Sequence, residues 1–365
     1  MEKSFGFIAV ILVWGGLAFF FFNSSILSEL GVNKFLGSGI SSFSENLKEQ
    51  NEIINILKER EKLRNDVKDF QSATVYFDKK INILNIEFFP EKPEFIFAGS
   101  NKGLFISKDS GLNWYNFSDI EYKINSNSIV YKILFNKIND CSFEQFLSVF
   151  FDGKGVIYKS NDNFFSLEEI FKIENEAIYD FETDGENLYL GLSDGRLLAL
   201  SLINNETRVL NYFESAISEL KIIPEKGWIY LKLKSGGFFM SKDKGGSFKR
   251  LEFLDNYKGA NKINDFQIYN SNPFLIYAAT DYGLIRSFDA GDTWKVFKTI
   301  PSEKKEFSAL AIDNNSEEIF AASNGKIYYS RDSGFSWRII ETNFDKREIS
   351  TIELINDKII IGSEK

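Results

Sequence analysis

The groups able to do chemistry are unevenly represented in this chain. It carries 52 carboxylates, 43 Lys and Arg cations, 15 tyrosines and one thiol, Cys141, but no histidine. Without imidazole there is no His general base, no Ser-His-Asp relay and none of the commonest transition-metal ligand. A single Cys excludes an internal disulfide and a thiolate metal cluster. No Gly-rich phosphate loop, carboxylate metal loop or nucleophile elbow occurs. These readings lead us to expect no metal and no cofactor.

The most regular placement of a carboxylate is an octet. Ser330-Arg-Asp332-Ser-Gly334-Phe-Ser-Trp337 recurs as Ser107-Lys-Asp109-Ser-Gly111-Leu-Asn-Trp114 and Ser287-Phe-Asp289-Ala-Gly291-Asp-Thr-Trp294, with a weaker copy, Ser241-Lys-Asp243-Lys-Gly245-Gly-Ser-Phe248. Each follows an apolar strand and precedes another, so each reads as a hairpin turn. The Asp accepts backbone N–H groups further along the turn. The Gly takes a backbone angle that a Cβ resists, and the Trp buries a large apolar face. All three jobs are structural.

The elements that hold these turns repeat as well. From Ala73 onward, short strands alternate with Gly/Asn/Asp turns, the pattern of an all-β repeat array. One unit opens on a strand such as Leu84–Phe88. A strand ending in a small residue follows, such as Phe95–Ala98, then a glycine turn and a third strand, and the octet and an outer strand close the unit. The turn glycines are Gly103, Gly155, Gly195, Gly237, Gly283 and Gly325, at intervals of 52, 40, 42, 46 and 42 residues. An insertion around Asn136–Phe146 lengthens the first interval. The copy at Ser160-Asn-Asp162-Asn-Phe164 has lost its Gly and Trp, and that at Ser201–Asn204 has lost the octet. Six full units result. Ile349–Gly362 then supplies two strands of a seventh, which Ala73–Phe77 is free to complete from the other end. The expected architecture is a single β-propeller, seven-bladed in preference to six.

The octet resembles the Asp-box, or BNR repeat, of sialidases, the sortilin luminal domain, xyloglucanases and the photosystem II assembly-factor propellers. The resemblance covers roughly residue 73 to the C-terminus. It implies turns on the outer hairpins of blades, away from the channel, and it identifies a repeat rather than an activity. Sialidase chemistry would imply an Arg triad and a Phe/Tyr-Arg-Ile-Pro motif. No Arg occurs between Arg64 and Arg196, and neither Ile223-Pro224 nor Ile300-Pro301 has an Arg before it. Hydrolysis of the xyloglucanase kind would need two carboxylates across the channel, roughly 6–9 Å apart for an inverting enzyme. Trp228, Tyr230, Phe238 and Phe239 offer a sugar platform, but at strand spacing they read as core.

The turns between second and third strands lie on the face opposite the octets. They carry Lys102, Lys154, Arg196, Lys234, Tyr282 and Lys326, a rim of cations in a chain of net charge −9, with Asp152, Asp194 and Asp281 among them. That rim is the candidate contact for an acidic partner. The acidic balance argues against nucleic acid.

Phe5–Phe22 is an uncharged run of 18 residues, long enough for a transmembrane helix, and no Ala-x-Ala-like cleavage site follows it. Residues 23–44 read as a tether. Residues 45–70 read as a charged helical stalk with Ile53, Ile56, Leu63, Val67 and Phe70 on one seam. The domains expected are therefore an anchor (1–22), a linker and stalk (23–72) and a propeller (73–365). The expected function is a membrane-anchored, extracytoplasmic, non-catalytic scaffold or assembly factor that binds a protein partner. The alternative is a propeller that binds or hydrolyses glycans.

Overall fold

The computed structural model describes residues 12–14, 17–19, 81–117, 123–139, 142–302, 305–314, 316–342, 348–355 and 358–364. The chain divides into two compact units, Met1–Lys68 and Asp69–Lys365. In the first, Leu12–Trp14 and Leu17–Phe19 form a small antiparallel pair, with Trp14 opposite Leu17. The sequence led us to expect one helix across Phe5–Phe22, of which these six residues are described. Among the described residues, no helix is long and apolar enough to cross a membrane. The expected tether, stalk and closing strand Ala73–Phe77, and also Cys141, lie outside the described residues.

In the second unit, six antiparallel four-stranded sheets follow one another, each a simple meander in chain order. Their inner strands are Ile83–Phe89, Ile129–Asn139, Ile178–Thr183, Ile217–Ile223, Ile263–Ile268 and Ala309–Ile312, and we number the blades 1 to 6 accordingly. A two-stranded sheet, Glu348–Ile355 with Lys358–Glu364, follows blade 6. Its strand Glu348–Ile355 packs on the inner strands of both blade 6 and blade 1. The chain is thus an all-β propeller of six complete blades, and the expected seventh copy is this two-stranded sheet.

Why the sheets pack as blades is visible in their residues. Strands buried on both faces lack the apolar/polar alternation of a one-sided sheet. Ile276–Thr280 and Ile319–Ser323 are accordingly buried throughout. Between blades 1 and 2 the core is aromatic: Phe97, Phe135 and Phe164 meet with ring centres 5.2–5.8 Å apart.

Several of these strands share one pattern, an aliphatic residue, a spacer, a polar residue, an apolar one and a polar one. It reads Ile83-Leu-Asn-Ile-Glu87, Ile178-Tyr-Asp-Phe-Glu182, Ile217-Ser-Glu-Leu-Lys221 and Ile349-Ser-Thr-Ile-Glu353. A bulge falls at the spacer in each of these four, and at the matching place in blades 2 and 5. The apolar member is buried: Ile86, Phe181, Leu220 and Ile352 are at most 2% exposed. Outside blade 4, the second strand carries a small residue at the place opposite the first polar one, because the next sheet's bulge presses there. A Cβ on Gly99 would meet the Val130 carbonyl oxygen at 2.7 Å, and one on Gly362 would meet Thr351 Cγ2 at 2.7 Å and Ile83 Cγ2 at 3.0 Å.

Candidate functional site

The polar residues of the inner strands gather around the channel. Three of them hook one blade to the next. Asn85 Oδ1 accepts the Ile133 N–H at 2.9 Å, Asp180 Oδ2 the Leu220 N–H at 2.8 Å, and Asp265 Oδ2 the Leu310 N–H at 2.7 Å. Each acceptor sits at the first polar position of an odd-numbered blade. Each donor is the apolar residue of the next inner strand. Gln267 adds a hydrogen bond from its Nε2 to the Leu310 carbonyl at 3.2 Å. Ser350 Oγ donates to the Ile83 carbonyl at 3.0 Å, joining the two-stranded sheet to blade 1.

Charge is unevenly distributed around this lining. Lys132 lies 3.4 Å from Asp180 and 3.5 Å from Glu182, and Lys232 lies 2.9 Å from Glu219, which Lys221 approaches at 3.5 Å. Lys232 takes the place that Gly, Ser or Ala holds in the other sheets, and its ammonium donates to the Asn264 carbonyl of blade 5. Burial raises the Glu219 carboxyl, but Lys232 and Lys221 outweigh it and hold the group below its ordinary value. Glu87, Asp265 and Glu353 have no cation within ion-pair distance among the described residues. Burial is the main cause that raises them, Glu87 to about 7, Asp265 to about 7 and Glu353 to about 8. Glu87, on the neighbouring inner strand of blade 1, is the next contributor at Glu353.

The mouth opposite the octets holds the predicted rim, and its cations are differently occupied. Arg196 Nε meets Asp194 at 2.5 Å, and Lys326 meets Glu341 at 3.1 Å. Lys234 stands 5.3 Å over the Tyr179 ring, which meets Tyr131 edge-on at 4.9 Å. Tyr282 packs on Tyr257 at 5.2 Å with Lys305 5.9 Å from its ring. Lys102 is exposed and Lys154 half-buried. The mouth therefore mixes aromatic rings and internally paired charge with the cations that the sequence placed there.

The octets lie at the turn between third and fourth strands and share one wiring. In the copy at Ser287, Ser287 Oγ donates to Asp289 Oδ1 at 2.8 Å and accepts the Gly291 N–H at 2.8 Å. Asp289 also accepts the Thr293 N–H at 2.8 Å and the Thr293 hydroxyl at 2.6 Å, and Trp294 Nε1 donates to the Gly291 carbonyl at 2.9 Å. Ser107, Asp109, Gly111 and Trp114 repeat this, as do Ser330, Asp332, Gly334 and Trp337. Ser241, Asp243 and Gly245 do so without the Trp bond. The Ser247 hydroxyl is the leading cause that holds Asp243 down at about 2. The degenerate copy keeps the wiring too: Ser160 Oγ donates to Asp162 and accepts the Phe164 N–H at 3.0 Å, with Phe164 at φ 66° in the glycine position. Asp109, Asp289 and Asp332 serve separate turns and share no cavity.

Of the four aromatics read as a sugar platform, Tyr230 and Phe238 are fully buried, Trp228 is half-buried and Phe239 packs on Phe213. Sequence reasoning missed the channel set. Its signal is a lone polar pair inside the apolar inner strands of blades 1, 3, 4 and 5.

No protein-family profile matches the chain. Its fold is shared with the extracellular domain of the putative one-component system BT4673 from B. thetaiotaomicron, at TM-score 0.62 and 16% identity, covering 80% of this chain and 39% of that one. It is shared with YCF48 bound to D1 peptide, at TM-score 0.63 and 13% identity, covering 82% and 94%. YCF48 from Cyanidioschyzon merolae gives TM-score 0.61, 13% identity and coverage of 80% and 95%. A xyloglucanase of Hypocrea jecorina (strain QM6a) is 32% identical over 109 residues, 28% of this chain and 12% of that protein. This chain therefore spans a small part of the xyloglucanase and well under half of the BT4673 domain.

Proposed function

We propose that this chain is a non-catalytic propeller that binds a protein partner and acts as a scaffold or assembly factor. The observation that carries the reading is the use to which the channel polar groups are put. Asn85, Asp180 and Asp265 hold backbone N–H groups of neighbouring blades, and Lys132, Lys221 and Lys232 pair with carboxylates of the same wall. Groups so engaged stiffen a ring and leave its faces to make contacts. The neighbour whose name records a bound peptide, YCF48 with D1 peptide, supports the reading.

In this proposal the octets are Asp-box turns, and Ala73–Phe77 completes the seventh position of the ring. The uncharged run Phe5–Phe22 attaches the chain to a membrane, with the propeller on the extracytoplasmic side. Lys102, Lys154 and Lys234 join Tyr131, Tyr179 and Tyr282 in a contact face at the mouth. Affinity isolation of the tagged full chain from its own membranes tests the reading. A protein recovered in stoichiometric amount supports it, and the bare chain recovered repeatedly under gentle solubilisation counts against it.

A second reading is glycan hydrolysis. It rests on Glu87 and Glu353, raised carboxylates on neighbouring inner strands with no ion pair among the described residues, and on the local likeness to a xyloglucanase.

A further inference from the structure

The face that carries the octets holds a group of cations that the sequence reading passed over. Lys226 lies in the short turn Pro224–Lys226 before the second strand of blade 4, and Lys242 and Lys244 lie in that blade's octet turn. Lys226 Nζ stands 5.1 Å from the Trp228 ring centre and 5.4 Å from that of Phe274. Lys242 Nζ stands 5.5 Å from the Trp228 ring. Phe274, 43% exposed, meets Trp228 edge-on at 5.3 Å. The Lys244 stem crosses Gly227, where a Cβ would meet its Cγ at 2.9 Å, and it lines a small cleft with Trp228, Asp184 and Tyr189.

All three lysines are exposed, and among the described residues none has a carboxylate within ion-pair distance. Two nearby carboxylates are committed elsewhere. Asp243 closes its octet, and Asp184 accepts the Tyr189 hydroxyl at 2.9 Å and the Asn187 N–H at 2.8 Å. Glu225 stands exposed beside Lys226. Three ammonium groups without ion partners thus surround an aromatic pair in a chain of net charge −9. Ring faces hold two of them in place without neutralising their charge.

We propose that this patch is a docking site for an acidic segment of a protein partner, on the face opposite the channel mouth. The proposal rests on the scaffold reading and adds where the partner sits and what charge it presents. Carboxylates of an extended segment would meet Lys226, Lys242 and Lys244, while its aliphatic stems lie along Trp228 and Phe274. Such complementarity sets orientation and on-rate, and weakens with salt.

The test is fluorescence anisotropy of the full chain with a labelled octaglutamate peptide at low ionic strength, with dextran sulfate as a competing probe. Saturable binding is expected. It should weaken about tenfold or more in Lys226→Glu/Lys242→Glu and about threefold in Trp228→Ala, while Lys258→Glu/Lys298→Glu, two exposed lysines elsewhere, stays within about twofold. Absence of saturable octaglutamate binding overturns the proposal, as does an equal loss in both double variants. Dextran sulfate bound more tightly than octaglutamate, through the same lysines, overturns it in favour of an anionic polysaccharide. Partner capture that survives Lys226→Glu/Lys242→Glu would remove this site and leave the scaffold reading standing. Peptide binding with no captured partner would do the reverse.

Discussion

Replacing Glu353 with Gln should change stability in a pH-dependent way. In the folded ring this carboxyl is raised from an ordinary 4.5 to about 8, by burial first and by Glu87 next. The folded state therefore holds a proton that the unfolded chain releases once pH passes about 4.5. Stability linked to that proton is fully present below 4.5 and is lost as pH rises through about 8. Each pKa unit is worth about 1.36 kcal/mol, so a group titrating alone would forfeit roughly 4–5 kcal/mol. Glu87 and Glu353 disfavour each other's charge, and channel water softens the penalty. We expect Glu353→Gln to recover about 2 kcal/mol at pH 8.5 and to be nearly neutral at pH 5. Glu87→Gln should behave alike over a window ending near pH 7. Urea unfolding at both pH values reads this directly, with the slope against denaturant checked for constancy. A Glu353→Gln chain less stable than the parent at pH 8.5, or equally shifted at both pH values, would refute the reasoning.

Three further outcomes follow from the turns. Phe164 sits in a left-handed conformation where the other octets have Gly, so Phe164→Gly relieves backbone strain of about 1–3 kcal/mol. It also removes a ring that is 1% exposed and packs on Phe97, a loss of about 3–5 kcal/mol or more, so net destabilisation is expected in thermal or urea melts. Asp289→Ala removes the acceptor for the Ser287 and Thr293 hydroxyls and the Thr293 N–H, and should cost about 1–3 kcal/mol in urea unfolding. Gly334→Ala forces a Cβ to φ +87° and to 2.0 Å from Phe297 Cε1. It should lower the melting temperature by several degrees and speed amide exchange around the blade 6 turn.

The six repeat units and the octets were legible because their signals are local, whereas the preference for a seventh full blade met a two-stranded sheet. Ser, Asp, Gly and Trp fall within eight residues, and the turn glycines return at nearly constant intervals. At Ser160 the letters misled, because the wiring needs only Ser160, Asp162 and a residue willing to take φ 66°, which Phe164 does for the sake of its buried ring. The channel was not legible. Asp180 and Leu220 are 40 residues apart, and Asp265 and Leu310 are 45 apart; nothing in either strand names the other until the ring closes. One ion partner of the rim was hidden for a similar reason. Glu341, which pairs with Lys326, comes from beyond the end of the outer strand, 15 residues on. Near the N-terminus, apolar composition pointed to a helix, while the described residues there are two short paired strands.

The central claim is that the channel is structural and turns over no substrate. Incubation of the full chain with xyloglucan and with a panel of sialosides, following new reducing ends, tests it most directly. The account predicts no release above that of the Glu87→Gln/Glu353→Gln variant, at pH 5 or at pH 8. Turnover by the parent chain that disappears in that variant, while the variant stays folded, would contradict it.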